Sequence, residues 1–214
     1  MIKYLAIALV IVALITIGVH RIITAPVESS IDYEPINALN EPEQTDLTDA
    51  TPIVHRANNT NLIYTPVAEY RIPARVLSKH AYRGDWSSQI APYDFALGWG
   101  NCADKEYMKG IKIDQMQRFY FYNASQKDYY KLGYIGLHSA NNHVIPATKN
   151  LRHLVGRIKR GDMVVMEGYL VRVSGSVKGG QVSWGTSTSR DDTGNGACEV
   201  IYVHTIKHKG KVYH

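Results

Sequence analysis

The chain has 214 residues, a formal net charge of +5 and a sequence pI of about 9.1, with 45% hydrophobic and 20% charged residues. That is enough for one domain with a substantial core. The two cysteines, Cys102 and Cys198, stand 96 positions apart with no C-x-x-C spacing, which excludes the usual zinc and thioredoxin-like motifs.

From Tyr4 to Val19 there is no charge, and Ile22 and Ile23 resume the apolar run after His20 and Arg21. Twenty helical residues at about 1.5 Å each span roughly 30 Å, the thickness of a bilayer hydrocarbon core. Residues 1–23 are therefore expected to form a transmembrane anchor. A cleaved secretory signal is the alternative, but Pro26 directly after Ala25, and Ile23 where a small residue is wanted, argue against cleavage. Both readings export residues 24–214. The amino terminus and Lys3 ahead of the run, against Arg21 behind it, agree with that orientation.

Between Thr24 and Ile53 the sequence carries Glu28, Asp32, Glu34, Glu41, Glu43, Asp46 and Asp49, no Lys or Arg, and Pro26, Pro35, Pro42 and Pro52. Self-repulsion and repeated proline predict an extended, unpacked linker over 24–60. The remainder, 61–214, is expected to be one basic β-rich domain. From Val54 onward 22 Lys and Arg face 12 Asp and Glu, a net of +10 that implies attraction to anions.

Runs rich in Val, Ile and Tyr, bounded by Gly, Asn, Asp and Ser, predict strands at Ala68–Leu77, Gln117–Tyr122, Met163–Val173, Gln181–Ser187 and Cys198–Ile206. Tyr120, Tyr122, Tyr129, Tyr130 and Tyr134 crowd beside Lys127 and Lys131, aromatic faces that suit bases or sugar rings as well as an ordinary β surface. One short helix is predicted from Thr148 to Arg160. Leu151, Leu154, Val155 and Ile158 share its apolar face, Arg152, Arg157, Lys159 and Arg160 point elsewhere, and Gly161 ends it. Those four cations are the candidate anion-binding residues. Ser174–Gly180 reads as a hairpin connection. The path from this helix through Gly161 and Asp162 into the alternating strand Val164, Met166, Gly168, Leu170 resembles the way small barrels of the OB type begin a strand. The expected fold class is thus mainly β, a transmembrane helix followed by a small β-barrel or OB-like domain with one short helix.

Two clusters carry reactive types. His138, Ser139 and His143, with Asn141 and Asn142, can supply a nucleophile, a base and an oxyanion donor, or metal ligands. The competing reading is a polar loop whose side chains hydrogen-bond the backbone around it. Asp191 and Asp192, beside Thr193, Gly194, Asn195 and Gly196, offer oxygen ligands for a hard cation but lack the EF-hand pattern. A tight connection between strands explains them equally. Signal-peptidase chemistry at Ser139 lacks the Ser-Met-x-Pro signature and a base fixed by pattern. In an exported domain Cys102 and Cys198 are expected to pair as a disulfide.

As a whole, Leu97-Gly98-Trp99-Gly100, the run His138–Ala147, Gly168-Tyr169-Leu170-Val171 and the run Ser189–Glu199 resemble a family of bacterial membrane-anchored proteins, over roughly residues 70–203. The resemblance implies an envelope location and brings no activity with it. The expectation is a single-pass inner-membrane protein with a periplasmic, non-catalytic domain that binds an envelope protein or an anionic polymer. No cofactor is expected, and nucleic acid is an unsuitable partner in that compartment. The alternative is a periplasmic hydrolase using His138, Ser139 and His143.

Overall fold

A computed structural model describes residues 2–57, 59–189, 192 and 197–214. Helix α1 (Ile2–Ile23) has 22 residues, and its described large apolar side chains, from Ile7 through Val19, are exposed. The side chains of 2–5, 8 and 20–23 fall outside the described set. Among the described residues no helix is long and apolar enough to cross a membrane.

The rest of the chain is mainly strand: β1 (Ser30–Ile31), β2 (Glu43–Asp46), β3 (Ile53–Ala57), β4 (Thr60–Ala81), β5 (Tyr93–Gly98), β6 (Ile111–Met116), β7 (Phe119–Ala124), β8 (Ser139–Pro146), β9 (Met163–Val177), β10 (Gly180–Trp184), β11 (Glu199–His208) and β12 (Lys211–Tyr213). Three short helices, rather than the one expected, interrupt the described strands: α2 (Trp86–Ile90), α3 (Leu132–Leu137) and α4 (Lys149–Arg157).

Five strands pair in a circuit that returns to its start. β4 pairs β5, β5 pairs β8, β8 pairs β11 in parallel, β11 pairs β9, and β9 pairs β4. Such a circuit must bend sharply, and register shifts at Pro66/Ala68, Val76/Ser78 and Val203/Thr205 supply local kinks. Gly168 has a different role. A Cβ there would lie 1.9 Å from the Tyr202 carbonyl oxygen, so only glycine lets β9 approach β11 closely.

The circuit encloses the largest core. Alternate residues Phe95 and Leu97 of β5, Ala140 and Val144 of β8, Ile201 and Val203 of β11, and Val164, Met166 and Leu170 of β9 meet inside it, beneath Leu151, Leu154 and Val155 of α4. The opposite faces of β5 and β8 are covered too. The β6–β7 hairpin packs Ile111 and Ile113 with Leu77, Ala96, Cys102 and Ile135. The far ends of β4 and β9, with β10 and α2, pack Leu62, Tyr64, Val171, Val173 and Ile90 with Ile145 and Val200.

Several expectations are corrected by this arrangement. Segment 24–60 is tied to the domain at three places: β1 pairs β12, and β2 and β3 pair β4. Three of its acids pair with cations of the basic domain: Glu28 with Lys211, Asp32 with Lys207 and Glu43 with Arg71. The charge asymmetry that suggested self-repulsion instead supplies complementary partners. Within the run 138–147, which also read as a polar loop, residues Ser139–Pro146 are strand β8. The strand expected from Gln117 begins two residues later, because Gln117 and Arg118, at φ 52° and 71°, form the tight turn between β6 and β7. Helix α4 stops at Arg157, earlier than the expected Arg160. There Lys79 of β4 donates to the carbonyls of Val155, Gly156 and Ile158 at 2.6, 2.9 and 2.9 Å, satisfying oxygens that a longer helix would have used.

Candidate functional site: an aromatic cavity beside a buried ion cluster

Between β7, β8 and the segment leading into β11 lies a cavity of about 260 Å³. Its walls are Trp99, Phe119, Tyr120, Phe121 and Tyr122, its polar groups come from Ser139, Ser189, Asp192 and Glu199, and Cys198 also lines it. The aromatic wall follows from sequence. Four consecutive aromatics, Phe119–Tyr122, have high β propensity and start directly after the turn, so both faces of β7 carry rings. Trp99 is held by its backbone N–H donating to the His138 carbonyl at 3.1 Å. The residue is 2% exposed, and its Nε1 is buried with no hydrogen-bond acceptor. Burial pushes the Tyr120 hydroxyl well above the ordinary tyrosine range, so it stays protonated, and it donates to the Ser139 carbonyl at 3.1 Å. Asp192 is positioned by the Ser187 hydroxyl, which donates to its Oδ2 at 2.6 Å.

Behind the cavity a cluster of charged and polar groups fills the space between the two covering layers. The Arg118 guanidinium, carried on the hairpin turn, donates to Asp94 Oδ1 at 2.7 Å, to the Ala91 carbonyl at 3.0 Å and to Ser87 Oγ at 2.9 Å. It lies over the Tyr82 ring, 4.0 Å from its centroid, with Trp184 at 5.3 Å. Asp94 is fully buried, and its Oδ2 has no hydrogen-bond partner. His143 Nδ1 sits 3.0 Å from Asp94 Oδ1, near enough to pair but off the line of a hydrogen bond, and its ring packs 4.6 Å from Trp184. Asn141 joins cluster to cavity: its Nδ2 donates to the Arg118 carbonyl at 2.8 Å, and its Oδ1 accepts from Gln115 Nε2 at 2.7 Å.

The candidate residues thus separate. Ser139 and Asp192 line one cavity, drawn from the two clusters singled out in the sequence. Asp191 lies outside the described residues. His138 stacks on Tyr134 at 3.7 Å and faces the Tyr134 carbonyl through Nδ1. His143 is committed to the Asp94 cluster, four residues along β8 from Ser139, a separation of about 13 Å at ordinary strand rise. The Ser139 hydroxyl donates to the Ile135 carbonyl at 2.6 Å. A nucleophile needs a base at its proton, and here a helix carbonyl holds it. Among the described residues no group of three His, Cys, Asp or Glu side chains is placed to hold a metal.

The expected disulfide is also corrected. Cys102 and Cys198 are free thiols. Cys102 is buried among Leu77, Ile111, Ile113 and Ile135, whereas Cys198 approaches the Arg118 carbonyl at 3.7 Å and Asn141 Nδ2 at 3.6 Å. The hairpin packs one thiol beneath it, and the cavity wall holds the other. Burial pushes them up to about 12 and about 11, so both stay protonated and unreactive at neutral pH.

Arg152, Arg157, Lys159 and Arg160 are all exposed, but they do not make one patch. Arg160 lines a groove with Arg75, Lys105 and Lys109, while Arg152 borders a separate hollow with Arg83 and His153. Sequence reasoning missed Arg118 and Asp94. A turn-forming Gln-Arg pair and one acid in an apolar strand carry no motif, and the only available signal was a lone charge inside the run 93–98. No protein-family model, curated protein or solved structure matches the chain, so its function is read from this geometry.

Proposed function

We propose that the protein is a membrane-anchored, non-catalytic binding protein of the bacterial envelope, and that its β domain is a small barrel of the OB type with a ligand site in the aromatic cavity. Support for the barrel is the five-strand circuit, whose ring order is first, second, third, fifth, fourth, with α4 between the third and fourth strands. Barrels of this type bind on the face of strands two and three, here β5 and β8, the strands beneath the cavity and the Arg118 cluster. Support for the anchor is the unbroken α1 with its exposed apolar side chains. The fold alone does not choose a ligand.

The observation that carries the ligand class is the buried Trp99 Nε1, a donor without an acceptor, in the same cavity as the Glu199 and Asp192 carboxylates. A hydroxyl both donates and accepts, so it serves indole and carboxylate together. Aromatic walls suit the apolar face of a ring. The carboxylates repel a polyanion, and the volume lies at the small end of ligand sites. The ligand is therefore one uncharged, hydroxyl-bearing ring, a sugar unit of an envelope polymer. Saturation-transfer NMR on the detergent-solubilised full chain, with a panel of neutral mono- and disaccharides, tests this. Binding should appear and fall at least tenfold in Trp99→Phe, which keeps the ring and removes the N–H. Absence of any sugar signal, with Trp99-dependent capture of an envelope protein instead, would replace the sugar by a partner's side chain.

A further inference from the structure

β6 is an edge strand. It pairs with β7 and, among the described residues, with no other strand. Gln117 and Arg118, at φ 52° and 71°, form the two-residue turn of this hairpin, and Met116 faces Phe119 across it. In such a hairpin the pair next to the turn exchanges hydrogen bonds, and so does every second pair after it. Asp114 and Lys112 therefore bond β7, whereas Ile111, Ile113 and Gln115 turn their backbone N–H and C=O away from it. The Ile111 N–H is taken up by the Met108 carbonyl at 3.1 Å. What remains along the edge is an alternating row: Ile111 C=O, Ile113 N–H, Ile113 C=O and Gln115 N–H.

The strand borders a groove of about 610 Å³. Ile111 and Ile113 line it with Leu77 and Met108, which give it an apolar floor. Around the floor stand Arg75, Lys105, Lys109 and Arg160, with Glu106 as the acid among the lining residues. Arg75 donates to the carbonyls of Ala103 and Gly161, which fixes its place without neutralising its charge. Lys105, Lys109 and Arg160 are exposed. Among the described residues no carboxylate pairs with any of the four cations. The groove shares no lining residue with the aromatic cavity.

We infer that this groove is a peptide-binding site, and that an acidic segment of a partner protein, apolar at alternate positions, enters it as a strand added to the outer edge of β6. Two observations choose that occupant. The unmatched cations attract a ligand rich in carboxylates. The edge carbonyls of Ile111 and Ile113 need donors, which a phosphate or an acyl chain lacks and a peptide backbone carries on every second residue toward one side. Alternate side chains of the added strand then fall over the apolar floor while the others reach the rim.

The test uses the full chain in a non-ionic detergent and a fluorescein-labelled seven-residue peptide of alternating Glu and Val, read by fluorescence anisotropy. Replacing every Glu of the peptide by Gln should weaken binding at least tenfold. So should K109E and R160E together in the protein, whereas K178E, on the β9–β10 turn, should not. These three side chains are exposed, so melting temperature should move little in either variant. A strand is bonded along one edge only, so of two peptides N-methylated at the Glu or at the Val nitrogens, one should bind at least tenfold more weakly than the other. Hydrogen exchange across residues 111–116 should slow when the unmodified peptide binds. Equal binding of the two methylated peptides, with exchange in β6 unchanged, overturns strand addition. Binding indifferent to K109E and R160E, or equal for the Gln peptide, overturns the acidic partner, and no saturable binding up to about 1 mM overturns the site itself.

Discussion

Replacing Arg118 by Met tests how the cavity wall is held in place. The change keeps most of the side chain's apolar volume and deletes the guanidinium. Asp94 then loses its 2.7 Å partner while remaining 0% exposed, with Oδ2 already without a hydrogen bond. Removing one member of a buried ion pair costs about 3–5 kcal/mol, since the other charge stays behind. Stacking on Tyr82 and Trp184 contributes roughly 1 kcal/mol more, part of which methionine recovers. A net loss of about 4 kcal/mol is a large share of an ordinary domain's stability, and at about 2–4 °C per kcal/mol for a chain of this size Tm should drop by about 8–16 °C. Neutralising the stranded acid should relieve much of this, so R118M/D94N melts well above the sum of the two single changes. Differential scanning calorimetry on the four chains of this double-mutant cycle reads the coupling directly. An R118M loss under about 1 kcal/mol, or strict additivity with D94N, would show that the cluster does not hold the hairpin. Phe119–Tyr122 would then owe their position to packing alone.

Gly168→Ala should abolish soluble folded protein, because its Cβ meets the Tyr202 carbonyl at 1.9 Å in the pairing that closes the circuit; Gly185→Ala, with nothing within 4 Å, is the matched control. His208 is held below the ordinary histidine value mainly by burial, against the hydrogen bond to Asp162. The unfolded chain therefore binds the extra proton first, and stability should fall as pH drops below about 6.5, the unperturbed value. His208→Gln should flatten that slope between pH 7 and 5 without abolishing it, since His55 is lowered in the same direction. A thiol reagent added to protein unfolded without reductant should label both Cys102 and Cys198, whereas native protein should label slowly at each; protection in the unfolded chain would restore the disulfide.

The strands with a clear period or a β-branched run were legible. Met163–Val173 lies within β9, Cys198–Ile206 overlaps β11, and the apolar face of α4 is buried as its spacing indicates. β8 was not legible as a strand alone, because both of its faces are covered. Asn142 and Val144 face one core while Ser139, Asn141 and His143 face the other layer, so the alternation that marks a half-buried strand is absent. The strands of the acidic segment were hidden for a different reason. β1, β2 and β3 are short edges, β1 paired with β12 far along the chain and β2 and β3 with the β4 strand that follows them, and composition reports only their charge. For the site, the two polar clusters supplied Ser139 and Asp192, but their convergence depends on the β8–β11 pairing, which local pattern does not encode. The Gly161–Asp162 pair proved to be a staple. Asp162 Oδ2 accepts from Lys159 N–H and His208 Nε2, both at 2.9 Å, joining the end of α4 to β11.

The pairing of β1 with β12 bears on how the domain is made. Glu28, just before β1, and Lys211, in β12, are 183 positions apart, and Asn150 Nδ2 donates to the carbonyls of both Val27 and His214, at 2.8 and 3.0 Å. A chain emerging from its N-terminal end can pair β3 and β2 with β4 as soon as that strand follows them, but it must carry β1 as an unpaired edge until β12 arrives, the arrangement that makes loop closure slow and leaves a strand exposed to mispairing. Closing that edge is then a late event, gated by the appearance of β12, and Glu28, Asp32 and Glu34, flanking β1, act during the wait as charged gatekeepers that keep it apart from the edges of other nascent copies.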